Sequence, residues 1–125
     1  MAKILIADDE RNILLVVQRL LNENGYETAE ATNGLAALEL FQTQFIDLII
    51  TDLRMPRMDG MTFLNEVKKL DPEIPVIILT AYASDETAIG TMKGRVFVCL
   101  TKPFKADELL STVERALGTG KDKKP

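Results

Sequence analysis

Histidine and tryptophan are absent from this 125-residue chain, and it holds one cysteine and two tyrosines. A lone cysteine cannot close an internal disulfide, which suits a reducing compartment. With no histidine and one cysteine, the usual zinc and haem ligand sets cannot be assembled, and neither can a Ser-His-Asp or Cys-His pair. Any metal must therefore be a hard cation held by oxygen. Excess positive charge is missing too: 15 Lys and Arg stand against 19 Asp and Glu, a net charge of −4. That balance argues against nucleic acid as the main partner, because phosphate-backbone affinity needs clustered Lys and Arg. No apolar run approaches the roughly 20 residues that span a bilayer, and no charged-then-apolar leader opens the chain. The expectation is a cytoplasmic protein with no membrane association.

What is present is a chain of single-domain length, 46% hydrophobic. A domain of this size buries roughly two-thirds of its unfolded surface, enough for an ordinary core. The charge is uneven. Residues 118–125 carry three Lys and one Asp, so residues 1–117 hold 12 basic against 18 acidic groups, or −6. We expect a domain over 1–118 followed by a flexible basic tail or linker stub over 119–125.

Apolar runs of strand length alternate with segments of helical period. Lys3–Ala7 is too continuous for a half-exposed strand and suits a buried parallel one. Ile13, Leu14, Val17, Leu20 and Leu21 mark one face of a helix, which Asn24-Gly25 stops. Glu27–Ala31 reads as an edge strand, and Asn33 as the N-cap of a second helix. Strands follow at Leu48–Thr51, Val76–Thr80 and Val96–Leu100. Helices are expected over Met61–Leu70, over Asp85–Lys93 and along the Leu109, Leu110, Val113, Leu117 stripe. Five such units imply right-handed crossovers and a doubly wound α/β domain, a parallel sheet covered on both faces.

In open parallel sheets ligands bind beyond the carboxyl ends of the strands. Those ends carry Asp8, Asp9 and Glu10 after the first strand, Asp52 after the third, Thr80 after the fourth, and Lys102-Pro103 after the fifth. Converging carboxylates repel one another unless something neutralises them. Oxygen ligands of this kind suit Mg²⁺, which keeps waters for phosphate oxygens. A hydroxyl at Thr80 and an ammonium at Lys102 suit an anion sharing that metal, and Asp52 is placed as a carboxylate nucleophile for phosphoryl transfer. Singly, each has a plainer reading: a helix cap for the Asp pair, a turn cap for Asp52, a backbone partner for Thr80, a solvated charge for Lys102. The joint pattern, four residue types at four strand ends, is what departs from chance.

The stretches I-L-I-A-D-D-E at 4–10, D-L-I-I-T-D-L-R-M-P-R-M-D-G at 47–60, P-V-I-I-L-T-A-Y at 75–82 and L-T-K-P-F at 100–104 resemble the receiver domain of bacterial two-component response regulators. The resemblance covers residues 2–118. It implies strand order 2-1-3-4-5. It also implies that Asp52 accepts a phosphoryl group from a phosphohistidine on a sensor histidine kinase or phosphotransfer protein. Asp9 and Asp52 would ligate Mg²⁺ with the backbone carbonyl of Arg54, and Asp8 would act through metal-bound water. Thr80 and Lys102 correspond to the family's phosphate-contacting pair, and Lys102-Pro103 to its cis peptide. Phosphorylation would bias a surface around the fourth helix, fifth strand and fifth helix, which meets an output domain, a target protein or a second copy of the chain.

Three positions depart from the family pattern. Cys99 stands where an aromatic residue usually follows the Thr inward, and Phe97, expected on the same strand face, and Tyr82 are the replacements to consider. Gly94-Arg95 stands where Ala-Gly is usual. The fifth strand is apolar throughout although it should form a sheet edge, which suggests cover by a partner or by the flanking helices. Arg54 and Tyr82, each two residues beyond a site residue, are placed to tune hydrolysis of the acyl phosphate. The rival readings are a pseudo-receiver that signals by contact alone, an aspartyl-phosphate phosphatase of the haloacid dehalogenase type and a flavodoxin-like FMN binder. The phosphatase lacks its second Asp, since residue 54 is Arg, and no Ser/Thr/Gly-rich phosphate loop follows the first strand.

Overall fold

A computed structural model of the chain describes residues 2–81 and 96–122. The elements run β1 (Lys3–Ala7), α1 (Arg11–Glu23), β2 (Glu27–Ala31), α2 (Gly34–Thr43), β3 (Leu48–Thr51), α3 (Gly60–Leu70), β4 (Val76–Thr80), β5 (Val98–Thr101) and α4 (Ala106–Asp122). The strands form one parallel sheet in the order β2-β1-β3-β4-β5. This is the doubly wound architecture expected from the alternation of strand and helix periods. The expected helix over 85–93, together with Tyr82, Gly94 and Arg95, lies outside the described residues.

Alternation within the strands splits the core in two. Leu5, Ala7, Ala29, Ala31, Ile49 and Ile78 face α2 and α3, where Phe63, Leu64 and Val67 close over them. Ile4, Ile6, Leu48, Ile50, Ile77 and Leu79 face α1 and α4, meeting Leu14, Val17 and Leu21 from one and Leu109, Val113 and Ala116 from the other. The central strands are buried on both faces, which is why Ile4–Ala7, Leu48–Ile50 and Val76–Leu79 read as unbroken apolar runs. Each fully buried Leu, Ile or Phe contributes about 1.5–3 kcal/mol of transfer free energy.

Local signals place the helix ends. Asn33 caps α2 by accepting from the Ala36 N–H at 2.8 Å, as its position predicts, and Asp59 caps α3 through the Thr62 N–H at 2.8 Å. Gly25, just past α1, takes φ +89°, a region that glycine enters without steric cost.

β5 differs from expectation. The ladder starts at the Ile77–Val98 pair, so Val96 and Phe97 precede it; the Phe97 N–H already bonds the Val76 carbonyl at 2.7 Å, and both side chains pack on the core. Phe97 packs with the α1–α4 cluster while Cys99 packs on the α2–α3 side. The two do not share a face. The i, i+2 rule applies only inside a pleated strand, and Phe97 lies before it. Phe97 therefore does not stand in for the family aromatic at Cys99, and burial pushes the Cys99 thiol pKa up, as for a small packed hydrophobe.

Candidate functional site

The carboxyl ends of β1, β3 and β4 meet at one edge of the sheet, and the backbone there is tightly tied. Asp8 and Asp52 donate their N–H groups to Ala31 and Ala7 carbonyls at 3.1 and 2.9 Å, which carries the strand ladders one residue further. The Lys102 N–H donates to the Thr80 carbonyl at 2.8 Å, joining the ends of β4 and β5. The Lys102-Pro103 bond is cis.

These ties bring Lys102 to the centre of the site. Its Nζ lies 2.7 Å from Asp8 Oδ2, 2.9 Å from Asp52 Oδ2 and 3.1 Å from Glu10 Oε1. The Lys102, Asp8 and Asp52 side chains are 8%, 3% and 6% exposed, whereas Glu10 is 60% exposed. Asp52 Oδ1 accepts from the Leu53 N–H at 2.6 Å, so both of its oxygens are held. Asp8 Oδ1 accepts from the Glu10 N–H at 2.9 Å.

Burial works against the Lys102 ammonium, but its hydrogen bonds to Asp8, Asp52 and Glu10 and the charge of Asp52 outweigh that cost and push its pKa above the ordinary value. For Asp8 the balance is opposite. Burial raises its pKa, and the Lys102 and Glu10 hydrogen bonds recover only part of the shift. Three carboxylates around one ammonium leave the site net negative.

The loop from Asp52 to α3 closes over this edge with little room. A Cβ at Gly60 would fall 2.0 Å from the Asp52 carbonyl oxygen, and one at Gly34 would fall 2.1 Å from that of Met58. The Gly60 N–H donates to the Leu53 carbonyl at 2.8 Å, and Arg57 holds φ +70° in the same loop. The loop that carries Asp52 is thus pinned to the starts of both α2 and α3.

Of the residues expected at the site, Asp8, Asp52 and Lys102 are in direct contact, and Thr80 is fully buried at the end of β4. Arg54 and Asp9 are exposed. The carboxylate oxygens that lie within 4.8 Å of one another belong to Asp8, Glu10 and Asp52, so Glu10 joins the group and Asp9 stands outside it. The sequence offered Glu10 only as the neighbour of two aspartates. Its carboxylate reaches Lys102 because residue 10 is the N-cap of α1 in an extended conformation and makes no side-chain cap of its own.

A family profile described as "Response regulator receiver domain" matches residues 4–114. The chain belongs to that family. This receiver domain is 44% identical over 114 residues to the transcriptional regulatory protein ZraR of Escherichia coli (strain K12), an alignment covering 91% of this chain and 26% of ZraR. It thus spans about a quarter of the length of that relative. Among solved structures, a receiver domain protein from Clostridium thermocellum superposes with TM-score 0.88 at 38% identity, covering 97% of this chain and 98% of that one. The response regulator TrrA of Thermotoga maritima, solved in complex with Mg²⁺-BeF, superposes with TM-score 0.85 at 34% identity, covering 94% and 100%. Among the described residues of the receiver domain, no helix is long and apolar enough to cross a membrane.

Proposed function

We propose that this receiver domain accepts a phosphoryl group on Asp52 from a phosphohistidine of a sensor kinase or phosphotransfer protein, and passes the change to an interaction surface. The observation that carries the reading is Lys102 bridging Asp52 and Asp8 at the sheet's carboxyl edge. The donor set fits Mg²⁺: it is all oxygen, it is net negative, and three carboxylate oxygens converge within 4.8 Å. Asp9 and Asp52, with the backbone carbonyl of Arg54, are the proposed ligands, and Asp8 would act through water; of these Asp8 and Asp52 belong to the converging group, beside Glu10, and Asp9 adjoins it exposed. When bound, the metal neutralises charge on the transferring phosphoryl oxygens.

The chain's own residues supply the rest. The Leu53 N–H and Lys102 hold the Asp52 carboxylate in one orientation. One Asp52 oxygen forms the new bond to phosphorus. The phosphorus–nitrogen bond of the donor breaks, and its electron pair stays on the imidazole nitrogen. The Lys102 ammonium stabilises the phosphoryl oxygens as charge builds on them. The Thr80 hydroxyl, at the end of β4, is the second contact to the product and links it to the chain that follows. The acyl phosphate adds nearly two negative charges at this edge, which biases the face that includes β5 and α4 toward its partner.

Next to the site, Ile13, Leu15, Val16 and Leu20 of α1 and Pro103 and Phe104 line a groove of about 500 Å³. Leu15 and Val16 are more than half exposed. Because Pro103 directly follows Lys102, a helix carrying the donor histidine and seated in this groove would bring its phosphoryl group to Asp52. With ZraR a transcriptional regulatory protein, the output proposed for this receiver is a regulatory domain joined through residues 119–125. Residues 1–118 would be the phospho-accepting unit, and self-phosphorylation and self-dephosphorylation its only chemistry.

The test is incubation with acetyl phosphate and Mg²⁺, read by intact mass. Incorporation that requires Mg²⁺ and disappears in Asp52→Asn is expected. A wild-type protein that takes up no phosphoryl group, or an Asp52→Asn protein that still does, would overturn the reading.

A further inference from the structure

A lysine ammonium has three N–H donors and no acceptor. In this structure Lys102 spends them on three carboxylates, Asp8, Asp52 and Glu10. The role proposed above requires Lys102 to contact phosphoryl oxygens, so one of those bonds must be given up. The Asp52 contact passes to the first phosphoryl oxygen; for a second, Asp8 cannot yield, because it is 3% exposed and its carboxylate has no water to turn to. Glu10 makes the longest of the three contacts, 3.1 Å, from a side chain 60% exposed, and can rotate into solvent at little cost.

We infer that Glu10 is the exchangeable partner of Lys102, a positioning residue that holds the ammonium over Asp52 and yields its place to a phosphoryl oxygen. This rests on the phospho-acceptor reading and adds a residue to it. Two consequences can be separated. As a charge, Glu10 favours a divalent cation at the site. As a hydrogen-bond acceptor, it competes with the phosphoryl group for Lys102. Substituting its side chain leaves the start of α1 intact, because the Ile13 and Leu14 N–H groups bond the backbone carbonyl of residue 10.

Calorimetric titration of the wild type, Glu10→Gln and Glu10→Asp separates them, first with Mg²⁺ alone and then with beryllofluoride at Mg²⁺ saturating for each variant. Glu10→Gln is expected to weaken Mg²⁺ about threefold by loss of one nearby charge. Glu10→Asp keeps the charge but is a methylene too short to hold Lys102, so its Mg²⁺ affinity stays at the wild-type value. Beryllofluoride, which stands in for the phosphoryl group, is expected to bind both variants about threefold more tightly, since each loses the competing bond. Beryllofluoride affinity that is unchanged or weaker in Glu10→Asp overturns the inference, whatever Glu10→Gln does. A wild type that binds neither Mg²⁺ nor beryllofluoride overturns the phospho-acceptor reading itself, and Glu10's role falls with it.

Discussion

Replacing Lys102 with Met keeps most of the side-chain volume but removes the one cation that, among the described residues, Asp8, Asp52 and Glu10 share. Two of the three pairs are buried, at 2.7 and 2.9 Å, and the third is largely exposed. Removing one member of a buried pair costs about 3–5 kcal/mol, because the carboxylates left behind lose their cationic partner and keep only one backbone N–H each. The exposed pair adds at most about 1 kcal/mol. The site opens at the sheet edge, where water can reach Asp52 once the ammonium has gone, so we expect the low end, about 3 kcal/mol. For a domain of this size that corresponds to a fall of about 10 °C in melting temperature. The sign with pH follows from the raised pKa of Lys102. Its contribution is fully present below the ordinary value of 10.5 and is lost only as pH rises through the higher folded value, so the deficit should be constant across neutral pH. Circular-dichroism melts at pH 7 in the presence of a chelator measure it. Adding Mg²⁺ should recover part of the loss, because a ligand at 100 times its dissociation constant stabilises by about 2.7 kcal/mol. A Lys102→Met protein that melts within about 2 °C of the wild type in chelator would refute the argument that this cation holds the cluster together.

Two further substitutions probe the same edge. Asp8→Asn leaves the Lys102 ammonium paired with Asp52 and Glu10, so no charge is orphaned, and the variant should melt above the wild type at pH 7. Burial raises the Asp8 pKa above 3.8, so the folded state binds a proton more readily than the unfolded one. Stability is therefore lost as pH rises from 3.8 through the raised value, and Asn, which mimics the neutral acid, is spared that loss. The gain should vanish as pH falls below 4 in melts followed across that range, and a gain that persists there would contradict this origin. Gly60→Ala places a methyl 2.0 Å from the Asp52 carbonyl oxygen and 2.8 Å from the Leu53 Cα. Backbone cannot step aside as a side chain can, so we expect a loss of about 3 kcal/mol in urea unfolding, together with poor phosphoryl incorporation because Asp52 must shift.

Much of the molecule is legible from periodicity. Runs such as Ile4–Ala7 and Val76–Leu79 are apolar at every position because helices cover both faces of the central sheet, and the structure buries them accordingly. The Leu14, Val17, Leu21 stripe and the Asn33 cap act locally, within a few residues, and the sequence reports such effects directly. Phe97 faces the other side of the sheet from Cys99, although its N–H bonds the Val76 carbonyl, because it lies just before the ladder that begins at Val98 and strand alternation does not reach it. Gly60 and Gly34 carry no local mark of their task, since what excludes a Cβ there is backbone from a segment distant in the chain.

The sequence alone determined the order of strands and helices and the set of acidic, hydroxyl and ammonium groups at the strand ends, because period and chain connectivity settle which residues terminate each strand. Tertiary structure decided which carboxylates touch Lys102. Glu10 reaches it across 92 residues while the adjacent Asp9 stands exposed and outside the cluster. Successive side chains at the end of a strand point in different directions, and the turn from β1 into α1 sends the third acid, rather than the second, back over the sheet's edge.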